Sequence, residues 1–318
     1  MSADRLIPTS LATAVKQLLA GASVPAVAAT IGLDPAELAD AADSYHAAGL
    51  AALHERADNR WYDVRIQFAD WETAEHIAAS HLGPRLDQLQ NEGAISGWWF
   101  LRKYPCWRLR FADPHIETIS HALDEFAATH AATRWWPTIY EPETYAFGGP
   151  VSMRVAHELF CADSRGVLDY LRQPESALGR REMSLLLIGA FLDAAEQDWF
   201  ERGDVFAKLA EIRPAPTTGR SNLEALIDNV RGLLAVGTDP DNSLFGPGGT
   251  APYAAPWHGA YVAAGRELAA AARAGWLDRG LRRIASHIVI FHWNRLGLTA
   301  ASQAALTHAA LEAFLPRS

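Results

Sequence analysis

Cysteine is scarce: the 318-residue chain holds two, Cys106 and Cys161. Two thiols cannot build a disulfide framework, and no Cys/His spacing matches a structural zinc site. Basic charge is also short. Against 37 Asp and Glu stand 28 Lys and Arg, a net charge of −9. That balance argues against a general nucleic-acid binder. No apolar run reaches the ~18 residues that suggest a membrane helix. The start, Met1-Ser-Ala-Asp-Arg-Leu-Ile-Pro8, lacks the charged region and apolar stretch of a signal peptide. A cytoplasmic protein with no membrane or nucleic-acid partner is expected. Gly246-Pro-Gly-Gly-Thr250 lacks the Lys-Ser/Thr of a phosphate-binding loop, and no Gly-x-Ser-x-Gly elbow occurs. Nucleotide binding and serine-hydrolase chemistry therefore have no support.

Core-forming material is plentiful. Apolar residues make up 49% and charged residues 20%, so no disorder signature is present. Eleven Trp is high for this length.

Residues 8–57 form an Ala-rich unit punctuated by Gly21, Gly32 and Gly49. Pro8-Thr-Ser10, Ser23-Val-Pro25 and Asp34-Pro35 supply three helix starts. Three short helices resemble a helix-turn-helix. The third, however, carries Asp34, Glu37, Asp40 and Asp43 and no Lys or Arg up to Ala48. That sign is wrong for a helix approaching phosphates, so a small docking module is the better reading.

From Trp61 the pattern changes. Trp61-Tyr-Asp-Val-Arg-Ile-Gln-Phe68 alternates with period two. A helix from Asp70 to Asn91 follows, then strands Gly97–Lys103 and Trp107–Phe111 around Tyr104-Pro-Cys106. A helix from Pro114 to His130 and a strand at Trp136–Glu143 complete a split β-α-β unit. After Gly148-Gly-Pro150 the spacing predicts helices over 151–172, 180–199, 203–211, 220–234, 257–274, 279–295 and 299–314, with a long loop at 237–256. The expected class is α+β: a mixed sheet from split β-α-β units, a helical C-terminal half and a small N-terminal helical module. The expected domains are 1–58 and 59–318.

Arg108 and Arg110 share one face of a strand, where two guanidiniums can receive a carboxylate or a peptide backbone. Glu141 and Glu143, beside Tyr140, share a face if their strand continues, and offer proton transfer. The helix 282–297 is apolar on most sides, yet holds Ser286, His287, His292 and Asn294. Each needs a partner or a cavity. The two His have no carboxylate or Cys at ligand spacing, so no metal site is expected.

Four segments occur in an order that resembles a known family. They are Trp98-Trp-Phe-Leu-Arg-Lys103 with Trp107-Arg-Leu-Arg110, Tyr140-Glu-Pro-Glu-Thr-Tyr-Ala-Phe-Gly-Gly149, His157-Glu-Leu-Phe-Cys-Ala-Asp-Ser164, and His292-Trp-Asn-Arg295. Together they are similar to the thiopeptide-type bacteriocin biosynthesis domain, the glutamate-elimination half of lantibiotic dehydratases. The resemblance covers about residues 61–315. The eliminating branch has arginines matching Arg108 and Arg110 and a Glu matching Glu143. It also has an Arg where this chain has Ala146, and a His where this chain has Ile290, with His292 as a shifted substitute.

These departures bring the chain closer to the thiopeptide pyridine synthases. Such enzymes join two dehydroalanines of a precursor peptide by a formal aza-[4+2] cycloaddition. Loss of water and of the leader peptide then leaves a pyridine macrocycle. The resemblance implies a cofactor-independent enzyme, with a dehydrated azole-containing precursor peptide and its leader as partner, and a homodimer as a possible state. Ser286 and His292 are the implied proton-transfer groups, with Glu143 and Tyr140 as alternates. Arg108, Arg110, Trp99, Trp257, Tyr253, His287 and Trp293 are the expected substrate-binding set, the tryptophans lining one cavity. A glutamate-eliminating subunit and a non-catalytic peptide scaffold are the competing expectations.

Overall fold

The computed structural model describes residues 8–58, 60–129, 132, 134–173, 176–213, 220–234, 236 and 244–315. Their contacts divide the chain into two compact units, 1–59 and 60–318.

The first unit holds helices α1 (Pro8–Leu19), α2 (Val24–Ile31) and α3 (Pro35–Asp58). Gly32 ends α2 in the left-handed conformation, φ 69°. Ala14, Val15, Val27, Ala28 and Leu38 form its own small core. Gly49 does not stop the third helix as its residue type suggested. A mid-helix Gly costs about 1 kcal/mol relative to Ala, and the surrounding alanines outweigh it.

The second unit opens with strand β1 (Trp61–Gln67). A continuous helical stretch follows: α4 (Ala74–Ile77), a π-helical turn (Ala78–Leu82) and α5 (Gly83–Asn91). The widened turn lies just before Pro84, which has no N–H to bond the preceding turn. Strands β2 (Gly97–Lys103) and β3 (Cys106–Ala112) form the hairpin, followed by α6 (Ile116–Ala128) and β4 (Arg134–Thr138). Strand order is β2-β3-β1-β4 and every pair is antiparallel. The α+β class and the split β-α-β connection are as expected. The sheet is antiparallel rather than mixed because each crossover joins strands that are not neighbours. The last strand also differs, ending at Thr138 well short of Glu143.

One face of the sheet is apolar. Val64, Ile66, Trp98, Phe100, Trp107, Leu109 and Phe111 are buried there. Phe126 of α6 reaches it, edge-on to Phe68 at 6.3 Å. The other face carries Asp63, Arg65, Trp99, Arg108 and Arg110 by the period-two rule.

Helices α7 (Pro150–Arg172), α8 (Arg180–Ala194), α9 (Trp199–Ala210), α10 (Arg220–Leu234), α11 (Ala255–Arg273), α12 (Leu281–Leu296) and α13 (Ala300–Phe314) complete the unit. The expected break between α8 and α9 moves. Glu196 takes φ 59°, and Asp198 with Glu201 forms a capping box that starts α9 at Trp199. Of the expected long loop, residues 237–243 lie outside the described residues; a short 3-10 turn at Pro252–Ala254 leads into α11.

Two side chains close the β2 edge of the sheet. Ser164 Oγ accepts from the Phe100 N–H at 3.0 Å, and Arg295 Nε donates to the Phe100 carbonyl at 3.0 Å. A bare sheet edge would invite pairing with another chain; this one is covered.

Gly166 sets how closely α7 and α11 approach. A Cβ built there would lie 2.3 Å from the Trp257 indole, whereas one at Gly189 meets nothing within 4 Å. Gly166→Ala should therefore cost about 1–3 kcal/mol by overpacking. Gly189→Ala should be neutral or stabilising. Urea midpoints of the two variants check this.

Candidate functional site

The polar sheet face opens into a cavity of about 210 Å³. Arg65, Arg108 and Arg110 line it from the strands. Glu141 and Glu143 come from the segment after β4, and Trp99, Tyr140, Phe147 and Phe291 add aromatic walls. Because β4 stops at Thr138, Glu141 and Glu143 reach the cavity from an irregular segment, not from a shared strand face.

Asp63 and Arg110 are both buried, and Arg110 Nε lies 2.9 Å from Asp63 Oδ1. Thr138 also donates to Asp63. Burial pushes the Asp63 carboxyl up, and Arg110 only partly opposes it. Burial likewise lowers the Arg110 guanidinium. Arg110 stacks at 4.2 Å over Trp99 and 5.0 Å over Tyr140.

Arg65 and Arg108 face each other directly across β1 and β3. Among the described residues neither forms an ion pair. Like charges opposite one another destabilise a sheet. Arg65 Nε and Arg110 Nη1 are buried with no hydrogen-bond partner among the described residues. Unpartnered donors on residues that line a cavity suit a carbonyl oxygen or carboxylate from a ligand.

At the cavity wall, Tyr140 Oη lies 2.7 Å from His157 Nε2. Burial first, and then Arg110, pull the His157 imidazole down to about 3. Phe147 stands edge-on to Phe291 at 5.0 Å, and Phe160 stacks on Phe291 at 5.1 Å.

A second polar cluster lies inside the helical layer. Asp163 is fully buried on α7. It accepts from Trp257 Nε1 at 2.7 Å, pairs with His292 Nδ1 at 2.9 Å, and forms an ion pair with Arg295. Ser184 Oγ lies 3.1 Å from His292 Nε2 and accepts from Trp293 Nε1 at 2.9 Å. A carboxylate only accepts, so His292 Nδ1 carries its proton toward Asp163, and Ser184 meets the other ring nitrogen. Burial pushes the Asp163 carboxyl up, but His292, Arg295 and Trp257 outweigh it and hold it at about 2.

The expected residues therefore separate. Arg108, Arg110, Trp99, Tyr140 and Glu143 share the cavity. Ser286 and His292 are not among its lining residues. Ser286 is buried and donates to the Arg283 carbonyl at 2.7 Å, so its hydroxyl is spent within its own helix. His287 makes a similar 2.8 Å contact through Nδ1. Trp257 and Trp293 serve the Asp163 network, and Tyr253 Oη lies 3.2 Å from Ser176 Oγ. The expected tryptophans do not line one cavity: of Trp99, Trp257 and Trp293, Trp99 alone is in its wall. Trp99 touches both clusters, with Arg110 at 4.2 Å and Arg295 at 5.8 Å from its ring. The sequence marks His157 and Asp163 only as members of the segment His157–Ser164, and gives Asp63 and Arg65 no role beyond their strand. Among the described residues no three His, Cys, Asp or Glu side chains converge to hold a metal.

The family described as lantibiotic biosynthesis dehydratase C-term matches residues 61–314. No curated protein sequence matches the chain. Among solved structures, the tRNA-dependent lantibiotic dehydratase MibB from Microbispora sp. 107891 superposes with TM-score 0.60 and 16% identity, over 79% of this chain. The chain spans 28% of MibB's length. TsrL gives TM-score 0.58 at 18% identity, over 80% of this chain and 94% of TsrL. The pyridine synthase TbtD from thiomuracin biosynthesis gives 0.52 at 14%, over 80% of this chain and 97% of TbtD. At such identities the likeness is one of fold.

Proposed function

The chain belongs to the lantibiotic biosynthesis dehydratase C-terminal family, and on that footing we propose that it is a thiopeptide pyridine synthase. Its substrate is a precursor peptide carrying two dehydroalanines and azoles. In the reaction an amide of the precursor reacts as its iminol. One new bond joins the methylene carbons of the two dehydroalanines. The other joins the α carbon of the second dehydroalanine to the iminol carbon. Water leaves with the iminol hydroxyl and one ring proton. The leader leaves as an amide with a second ring proton, and the ring becomes a pyridine.

The make-up of the cavity carries this reading. Arg65, Arg108 and Arg110 present donors to the amide oxygen as it gains negative character. Tyr140 and Glu143 line the same cavity and are groups able to give and take protons. Trp99, Phe147 and Phe291 give flat apolar walls for azole rings. Ile139, at the rim, is 88% exposed, and Tyr145 in the following turn is 77% exposed, which suits peptide contact. Holding both ends of the peptide in one small space supplies much of the rate through entropy. Ser286 and His292, set apart from the cavity, support the fold in this reading.

A second reading is favoured by one observation. The unpaired Arg65 and Arg108 also suit the carboxylate of a glutamyl ester, as a glutamate-eliminating subunit would need. Against it stands Ala146, where the eliminating branch has an arginine. Offering the purified protein both substrates separates the two. Mass spectrometry should show the bis-dehydroalanine peptide losing water and leader, with the glutamylated peptide unchanged. Release of glutamate, strengthened by Ala146→Arg, would establish elimination instead.

A further inference from the structure

Tyr140 belongs to a stretch, 139–143, with neither helix nor strand. A proton-transfer group needs to be held within about 0.5 Å of its working position. Loop backbone alone does this poorly, so the question is what fixes the phenol.

Side chains from the rest of the fold do so. The Tyr140 ring stands edge-on to Trp99 at 5.8 Å and to Trp61 at 6.2 Å. Its hydroxyl lies 2.7 Å from Nε2 of His157, which projects from helix α7. The imidazole is itself clamped, 4.7 Å from Trp61 and 6.1 Å from Trp99 between ring centroids. We infer that His157 is a positioning residue, which fixes the Tyr140 hydroxyl at the cavity wall without exchanging protons itself. The inference rests on the proposed role of Tyr140 in that cavity.

A proton-shuttling histidine would need to titrate near the working pH. His157 is buried beside Arg110, and its imidazole stays neutral down to about 3. Its charge is therefore constant over the working range, and the Tyr140 hydroxyl meets it in one protonation state.

The test has two arms. The first is ¹⁵N-histidine NMR on the free protein. His157 should not titrate between about pH 5 and 8, and its Nε2 resonance should shift in Tyr140→Phe. Titration near ~6.5, with no response to Tyr140→Phe, would overturn the inference. This arm needs no substrate, so it stands or falls apart from the reaction assigned above.

The second arm is kinetic, on the substrate that the protein turns over. His157→Phe should lower kcat about 10- to 100-fold with KM within about 3-fold, since a misplacement near 1 Å costs up to that much. His157→Gln should restore most of the loss. The double variant with Tyr140→Phe should be no worse than Tyr140→Phe alone. Additive losses, or a matching fall in thermal midpoint with no rescue by Gln, would mean that His157 is only structural.

Discussion

Asp163→Asn should cost about 3–5 kcal/mol of folding stability, a large fraction of what a domain of this kind possesses. The substitution is nearly isosteric, so no cavity opens. What it removes is, among the described residues, the only carboxylate paired with Arg295, whose side chain is fully buried. An uncompensated guanidinium in the core is the expensive outcome. Replacing both members, as Asp163→Leu with Arg295→Met, should cost less than the single change, because no charge is stranded. Urea denaturation of the three proteins checks the order. The pH dependence has a definite sign. The folded Asp163 carboxyl is held at about 2, against about 3.9 in an unfolded chain. Its contribution is therefore fully present above about pH 4 and is lost as pH falls toward 2. The thermal midpoint of wild type should fall through that window by more than that of Asp163→Asn.

Arg108→Ala should act in the opposite way. Activity should fall about 100-fold or more, the scale of losing a charge-stabilising donor. Stability should hold or rise, because Arg65 loses the like charge directly across the sheet. No ion pair is broken, since Arg108 has none among the described residues. Steady-state turnover and thermal midpoint on the same preparation separate the two effects. If activity and stability fell together, the arginine pair would be serving the fold and not a ligand.

Much of the fold was legible, and the gaps have physical causes. Alternation at 61–68 gave β1, and the apolar run around Tyr104-Pro-Cys106 gave the hairpin. The last strand was misplaced because Trp136-Pro-Thr-Ile-Tyr alternates as well as Arg134–Thr138 does; pairing with β1, Gln67 opposite Arg134, decides it. Arg65 was missed because its closeness to Arg108 depends on strand register, which one strand cannot reveal. Asp163 could have been found. Leu159, Phe160, Val167 and Leu168 form the apolar stripe of α7, and Asp163 with Ser164 falls inside it at helical spacing. A charge in such a stripe must have a buried partner. His292 sits on a largely apolar helix and so needs a partner or a cavity. Its partners are Asp163 and Ser184, and Trp293, expected to meet substrate, donates to the same Ser184; no local pattern distinguishes a core network from a substrate site.

The most direct test of the account concerns the fate of the leader peptide. When the wild-type protein meets its bis-dehydroalanine precursor, mass spectrometry of the reaction should detect two products together. One is a macrocycle with the pyridine chromophore, and the other is the leader ending in a carboxamide. Both should be nearly absent with Arg108→Ala. A leader still joined to a linear peptide, with free glutamate released from a glutamylated precursor, would contradict the pyridine synthase account and assign the cavity to elimination.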